Sequence, residues 1–82
     1  MKWMDFQGNT VWITTMQPYI WDEGRKEHVH TGQFIAAYNI GVEPKGFAIN
    51  YVLGEDGKPR FFHDTNSAIC AAQEAARKHI NS

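Results

Sequence analysis

The sequence predicts an α+β domain, in which an antiparallel sheet is followed by one amphipathic helix near the C-terminal end. Two patterns support this class. The first two thirds of the chain alternate β-rich runs with Gly, Pro and Asp turns, which is typical of a meander in one or two small sheets. The last part is rich in alanine, with apolar residues at helical spacing. Because 82 residues suffice for one domain and not for two, we expect residues 1–82 to form a single domain.

The first predicted strand covers residues 10–16, TVWITTM, whose β-branched side chains suit a pleated surface. Turn signals at residues 7–9 and at Pro18 define its ends. Alternation places Val11 on one face and Trp12 on the other, so both faces of this strand carry apolar groups.

Residues 19–31 have two interpretations. The turn signal Asp-Glu-Gly at residues 22–24 allows a hairpin that pairs residues 19–21 with residues 27–30. Five charged residues close together also fit an ordered surface loop. The sequence leaves open whether residues 1–31 join the main sheet or form a second one.

Two further strands are predicted at residues 33–40 and 46–53, with a short one at residues 60–63. The short connection between the first two favours antiparallel pairing. A period of two gives each long strand an apolar stripe, and we expect both stripes to face the helix: Phe34, Ala36, Tyr38 and Ile40 in one, and Phe47, Ile49, Tyr51 and Leu53 in the other.

The helix is predicted to begin after N-cap candidates at residues 64–67 and to continue through residues 68–78. Its apolar face is mostly alanine and consists of Ala68, Ile69, Ala72, Ala75, Ala76 and Ile80. Because alanine is small, the helix should lie close to the sheet, and we expect Phe47 and Tyr51 to fill the space between them.

The composition excludes several classes of function. Eight Lys and Arg against nine Asp and Glu leave a net charge of −1, which is no electrostatic footprint for phosphate backbones or anionic membranes. The longest apolar run, residues 34–38, is far below the roughly 20 residues that span a bilayer. One cysteine, Cys70, permits neither an intrachain disulfide nor a multi-thiolate zinc site. We expect a cytoplasmic protein that does not bind membranes.

Signatures of catalysis are missing from the sequence. It has no phosphate-cradling glycine loop, no nucleophile elbow and no carboxylate pair within a motif. Cys70 lies about one turn into the predicted helix, but it falls among the polar positions and no motif assigns it a base. We therefore expect no enzymatic activity and no cofactor.

Four histidines suggest a metal hypothesis. His28 and His30 would lie on the same side of a strand, at a usable ligand spacing, and His63 with Asp64, or His79, could complete the set. Neither cysteine nor paired carboxylates reinforce this pattern, so surface histidines are the favoured interpretation. A small metal-binding protein is the third functional hypothesis.

The second functional hypothesis is a weak nucleic-acid-binding module. A three-stranded sheet followed by one helix resembles, over residues 33–80, the arm-type DNA-binding modules of phage integrases, with residues 60–65 (RFFHDT) in the place of their last strand and helix start. In that family the strands enter the major groove. Residues 33–64, however, hold three cations against four carboxylates, and the outward positions Ile35 and Ala37 offer no base-reading groups. We therefore do not expect nucleic acid as the partner.

The leading hypothesis is a non-catalytic protein-binding accessory protein. Tyr19, Ile20 and Trp21 lie outside the confident strands, and Trp12 lies on the sheet face that one helix leaves open, together with the expected positions of Ile35 and Val52. If exposed, these side chains would form an anchor patch for a partner or a second copy. The alternative is that the N-terminal aromatic residues cover the open face as a second small core.

As a whole, the chain resembles small proteins encoded in bacterial prophages, in its length, its missing signatures and its aromatic, turn-punctuated composition. This resemblance implies an accessory role in particle or tail assembly, or the binding of a host factor. Both are binding functions.

Overall fold

The computed structural model describes all 82 residues and contains six strands and one helix. In chain order these elements are β1 (Lys2–Phe6), β2 (Asn9–Met16), β3 (Tyr19–Asp22), β4 (Glu27–His30), β5 (Ile35–Ile40), β6 (Asn50–Tyr51) and α1 (Thr65–Asn81). One antiparallel sheet has the strand order β1-β2-β5-β6, and β3 and β4 form a second, two-stranded sheet. The α+β class is confirmed, and the N-terminal third of the chain divides between the two sheets.

Strand β1 is an element that the sequence did not predict. It pairs with β2 from Lys2 opposite Ile13 to Phe6 opposite Asn9. The two-residue turn between them, Gln7–Gly8, has φ of 51° and 80°. Positive φ at both positions is characteristic of the tight hairpin turn whose twist matches that of the strands. The sequence KWMDF lacks a clear strand pattern. The turn at residues 7–9 is therefore the only local feature that indicates this hairpin.

The predicted strand at residues 46–53 is largely wrong. Only Asn50 and Tyr51 join the ladder, as β6 beside β5. Just before them, the N–H of Ala48 donates to Thr14 Oγ1 at 3.0 Å, and the N–H of Ile49 donates to Asn39 Oδ1 at 2.9 Å. Because these side chains satisfy the backbone, the segment leading into β6 crosses the sheet face opposite the helix instead of extending the sheet.

The predicted strand at residues 60–63 also fails to form. One isolated bridge joins Phe62 to Phe34, and another joins Pro59 to Leu53. The chain therefore passes from β6 to the helix in an irregular segment that pairs with itself at Leu53 and Pro59 and is joined through Phe62 to Phe34, just before β5.

The second apolar stripe, at residues 47, 49, 51 and 53, does not face the helix as expected. Ile49 is 77% exposed and Leu53 is 54% exposed, while the ring of Tyr51 packs beside Phe47 at 5.5 Å between centroids. Val52, which was expected on the open face, is buried in the core on the helix side. Only around β6, where Tyr51 and Val52 point to different sides, do the faces alternate, and there each residue lies on the side opposite to the expected one.

The core lies between α1 and the main sheet. Ala68, Ala72 and Ala76 are fully buried, which confirms the alanine face of the helix. On the sheet side the core consists of Val11, Ile13, Ala36, Tyr38, Val52 and Phe62. Tyr38 and Phe62 thus fill the space that the sequence assigned to Tyr51 and Phe47. Each large apolar side chain buried in this way contributes about 1.5–3 kcal/mol.

Both ends of α1 are fixed by side chains. At the start, Asp64 is the N-cap and accepts a hydrogen bond from the N–H of Ser67 at 2.6 Å. Near the end, Tyr38 Oη and His79 Nδ1 lie 3.0 Å apart and share a hydrogen bond. Burial raises the pKa of Tyr38. The helix is therefore held to β5 by a polar contact as well as by its alanines.

Replacing Ala72 with leucine tests this close packing. Ala72 is fully buried, so the larger side chain must push the helix from the sheet. We expect Ala72→Leu to lower the free energy of unfolding by about 1–3 kcal/mol, measured by urea unfolding. Lys78→Leu, on the exposed face of the helix, is the control and should change it by less than about 0.5 kcal/mol. A neutral effect at Ala72 would contradict the packing described here.

The cap at Asp64 makes stability dependent on pH. The hydrogen bond from the Ser67 backbone N–H holds the pKa of Asp64 below its usual value, and the Ser67 hydroxyl lowers it further. The ionised form therefore stabilises the fold above the unfolded pKa of about 3.9, and this contribution is lost as pH falls through the lower folded pKa. Asp64→Asn keeps a capping oxygen but does not titrate there.

We expect the stability difference between the wild type and Asp64→Asn to be constant near neutral pH and to shrink in acid. Chemical unfolding at a series of pH values measures it. Glu43→Gln, which changes an exposed carboxylate, should show no such trend. A difference for Asp64→Asn that stays constant down to the lowest pH would show that the cap does not titrate as described.

Candidate protein-binding surface

Strands β3 and β4 form a hairpin arm (residues 19–30) that projects from the rest of the molecule. Apart from pairing with each other, the two strands make no extensive contact with another strand or with α1. The molecule measures 49 × 26 × 19 Å, and its radius of gyration of 13.8 Å exceeds the value of about 12 Å for a compact domain of this length. At the base of the arm, the N–H of Thr31 donates to the carbonyl of Pro18 at 3.2 Å.

The tip of the arm explains why this segment is a hairpin and not a loop. Asp22 Oδ1 accepts hydrogen bonds from the N–H groups of Gly24 at 2.9 Å and Arg25 at 3.2 Å. The N–H of Lys26 returns to the carbonyl of Asp22 at 2.7 Å, with Lys26 in the left-handed region at φ 54°. One aspartate thus holds the turn and sets the register of the two strands.

The register gives the arm two different faces. Tyr19 lies opposite His30, and Trp21 lies opposite His28. The rings of Tyr19 and His30 are 4.0 Å apart between centroids, and those of Trp21 and His28 are 5.2 Å apart, edge to face. We call these four residues the aromatic–histidine face. The other face carries two cross-strand pairs, Ile20 with Val29 and Asp22 with Glu27.

The apolar side chains of β3 stay in contact with solvent. Tyr19 is 60% exposed, Ile20 is 50% exposed and Trp21 is 49% exposed. These three residues therefore do not form a second core over the sheet. Instead, they give the projecting arm apolar groups on both of its faces.

Trp12 lies apart from the arm. It is in β2, opposite Trp3 of β1, on the sheet face away from the helix, and it is half-buried. Met16, at the end of β2, is four positions further along the chain, which is roughly 13 Å along a strand. The predicted binding residues Trp12, Tyr19, Ile20 and Trp21 therefore belong to two surfaces and not to one.

The face opposite the helix is partly covered by the segment that precedes β6. Thr14, Ala37 and Ala48 are buried there, and so is Ile35 at its edge. Trp3 and Ile49 remain 61% and 77% exposed on the outside of the body. Sequence reasoning missed Ile49 as a surface residue because its strand-like pattern assigned it to the core, and no local signal indicates otherwise.

The four histidines do not come together. His63 Nε2 lies 2.8 Å from Asp64 Oδ2, beside the N-terminus of α1, and His79 is bonded to Tyr38. No group of three or more His, Cys, Asp or Glu side chains is arranged to hold a metal ion within the chain. His28 and His30 are therefore separated from the two histidines that could have completed a set under the metal hypothesis.

Cys70 is exposed on α1, as its polar position on the helix predicts. It lines an open depression together with Arg60, His63 and Ser67. No hydrogen bond joins the thiol to a base, so the depression does not resemble the paired nucleophile and base of a thiol enzyme.

Comparison with protein-family models, with curated proteins and with solved structures finds no match to this chain. The one helix of the structure is neither long enough nor apolar enough to cross a membrane.

Proposed function

We propose that the chain is a non-catalytic accessory protein of the cytoplasm that binds another protein through the hairpin arm. One observation carries the proposal: Tyr19, Ile20 and Trp21 remain half exposed or more on an element that leaves the body of the molecule. Aromatic side chains that become buried when two proteins bind dominate the binding energy of many interfaces.

The physical state of the arm supports docking. A two-stranded hairpin is at best marginally stable alone, because it has too little apolar area to bury. The core cluster contains no residue of the arm, so the fold gains little from the arm's side chains. A partner that covers either face would remove apolar area from water, and the outer edges of β3 and β4 offer backbone groups for an added strand.

Charge favours a protein partner over nucleic acid. The arm carries three acidic residues, Asp22, Glu23 and Glu27, against two basic ones, Arg25 and Lys26. On the main sheet, Ile35 and Ala37, at the positions expected to point outward, are buried, so these side chains cannot contact bases in a DNA groove. A nucleic-acid interface requires a basic surface that neutralises phosphates, and neither region supplies one.

The resemblance to prophage-encoded proteins remains a prediction. Particle assembly and host-factor binding would both use an exposed arm of this type. The proposal rests on the exposure and position of the arm, and it holds for either role.

The test has two steps. First, a photoreactive amino acid at position 20, on the apolar face of the arm, is used to crosslink and identify the partner in cells that produce the protein. Second, the dissociation constant for that partner is measured for the wild type and for Trp21→Ala, in buffer with a metal chelator. Truncating an anchor residue costs about 2 kcal/mol or more, so we expect Trp21→Ala to bind roughly thirty-fold more weakly or worse.

The matched control is Val42→Ala, which shortens an exposed apolar side chain outside the arm and should bind like the wild type. Circular dichroism and thermal unfolding should be unchanged in both variants. Binding by Trp21→Ala at wild-type strength would contradict the proposal, and so would unfolding of this variant, since Trp21 would then be core. A salt-dependent shift of duplex DNA without any protein crosslink would favour the nucleic-acid hypothesis instead.

A further inference from the structure

In two of the four histidines, neither ring nitrogen takes part in a hydrogen bond or an ion pair. His63 is occupied by an ion pair with Asp64, and His79 by a hydrogen bond to Tyr38. The ring nitrogens of His28 and His30 make neither kind of contact, and both side chains are exposed on the arm. The aromatic–histidine face therefore holds the only imidazoles in the chain with both ring nitrogens unengaged.

The geometry of β4 places these two imidazoles side by side. Residues two apart in a strand point to the same face, with their Cα atoms about 7 Å apart. Each ring also rests against an aromatic neighbour on β3, at 4.0 Å for His30 and 5.2 Å for His28. These contacts restrict the orientation of the rings, so less side-chain entropy is lost when a ligand is bound.

Two neighbouring imidazoles make half of a tetrahedral site for zinc or a similar transition-metal ion. The arm cannot supply the other half. Its carboxylates at the strand ends, Asp22 and Glu27, pair on the opposite face, and Asp22 is engaged by the turn. No third His, Cys, Asp or Glu lies within reach. Any further protein ligand must therefore come from a second molecule.

We propose that His28 and His30 form one half of a transition-metal site that a second copy of the chain completes, with two arms face to face. Four imidazoles then surround one ion. The same approach covers Tyr19 and Trp21 of both copies, which are otherwise half exposed or more. The arm projects from the body and its side chains on this face are exposed, so the face is open to a second copy.

Zinc titration of the purified chain, without a histidine-containing tag, tests this site. Mass is followed by light scattering, and the environment of the three tryptophans, of which only Trp21 lies on the arm, by fluorescence. We expect one zinc ion bound per two chains, a doubling of mass and a change in tryptophan emission. Magnesium, which prefers oxygen ligands, should have no effect. His28→Ala and His30→Ala should each abolish the doubling.

His63→Ala is the matched control, since it removes an exposed histidine outside the arm, and it should dimerise with zinc like the wild type. No zinc binding at millimolar concentration, binding of one ion per chain without a change of mass, or doubling that persists in both arm variants would each overturn the proposal. The partner measurement is made with chelator present, so failure of protein docking and failure of metal-bridged pairing are separate results.

Discussion

The whole structure depends on the close contact between the alanine side of α1 and the paired strands β2 and β5. Ala68, Ala72 and Ala76 are fully buried against the sheet. Because these residues are small, the helix backbone can approach the strands, and Tyr38 and Phe62 are large enough to fill the space beside it. The same approach brings His79 within hydrogen-bonding distance of Tyr38 and places the Asp64 cap where the chain leaves the sheet.

The arm follows from this core by exclusion. All nine residues of the core cluster come from β2, β5, α1 and the segment between β6 and α1. The connection between β2 and β5 is thus free to leave the body, because nothing in the core requires its side chains. An insertion that keeps Trp21 and Tyr19 in solvent gives up apolar burial that a small domain could use. The arm is nevertheless an ordered hairpin, fixed at the tip by Asp22, and the proposed docking role rests on this feature.

Sequence reasoning predicted those parts of the fold where local chemistry and packing agree. The helix, a cap within residues 64–67 and the alanine face could be predicted because propensity, capping and periodicity all indicate the same element. The strand pattern of residues 46–53 misled because Thr14 and Asn39 bind the backbone of Ala48 and Ile49 from another part of the chain, and a pattern cannot reveal such contacts. At the candidate binding surface, the exposure of Tyr19 and Trp21 agrees with one of the two interpretations that the sequence leaves open. Their distance from Trp12 depends on tertiary structure, which local patterns do not encode.

Native-state amide hydrogen exchange tests the central claim most directly, because it measures the free energy of opening at each backbone group. If the helix-on-sheet contact holds the fold together, the slowest amides of β2, β5 and α1 should exchange with one common free energy, that of global unfolding. Amides of the arm should exchange by a separate opening of much lower free energy. Exchange of α1 well before β2 and β5, or protection of the arm equal to that of the core, would contradict this account.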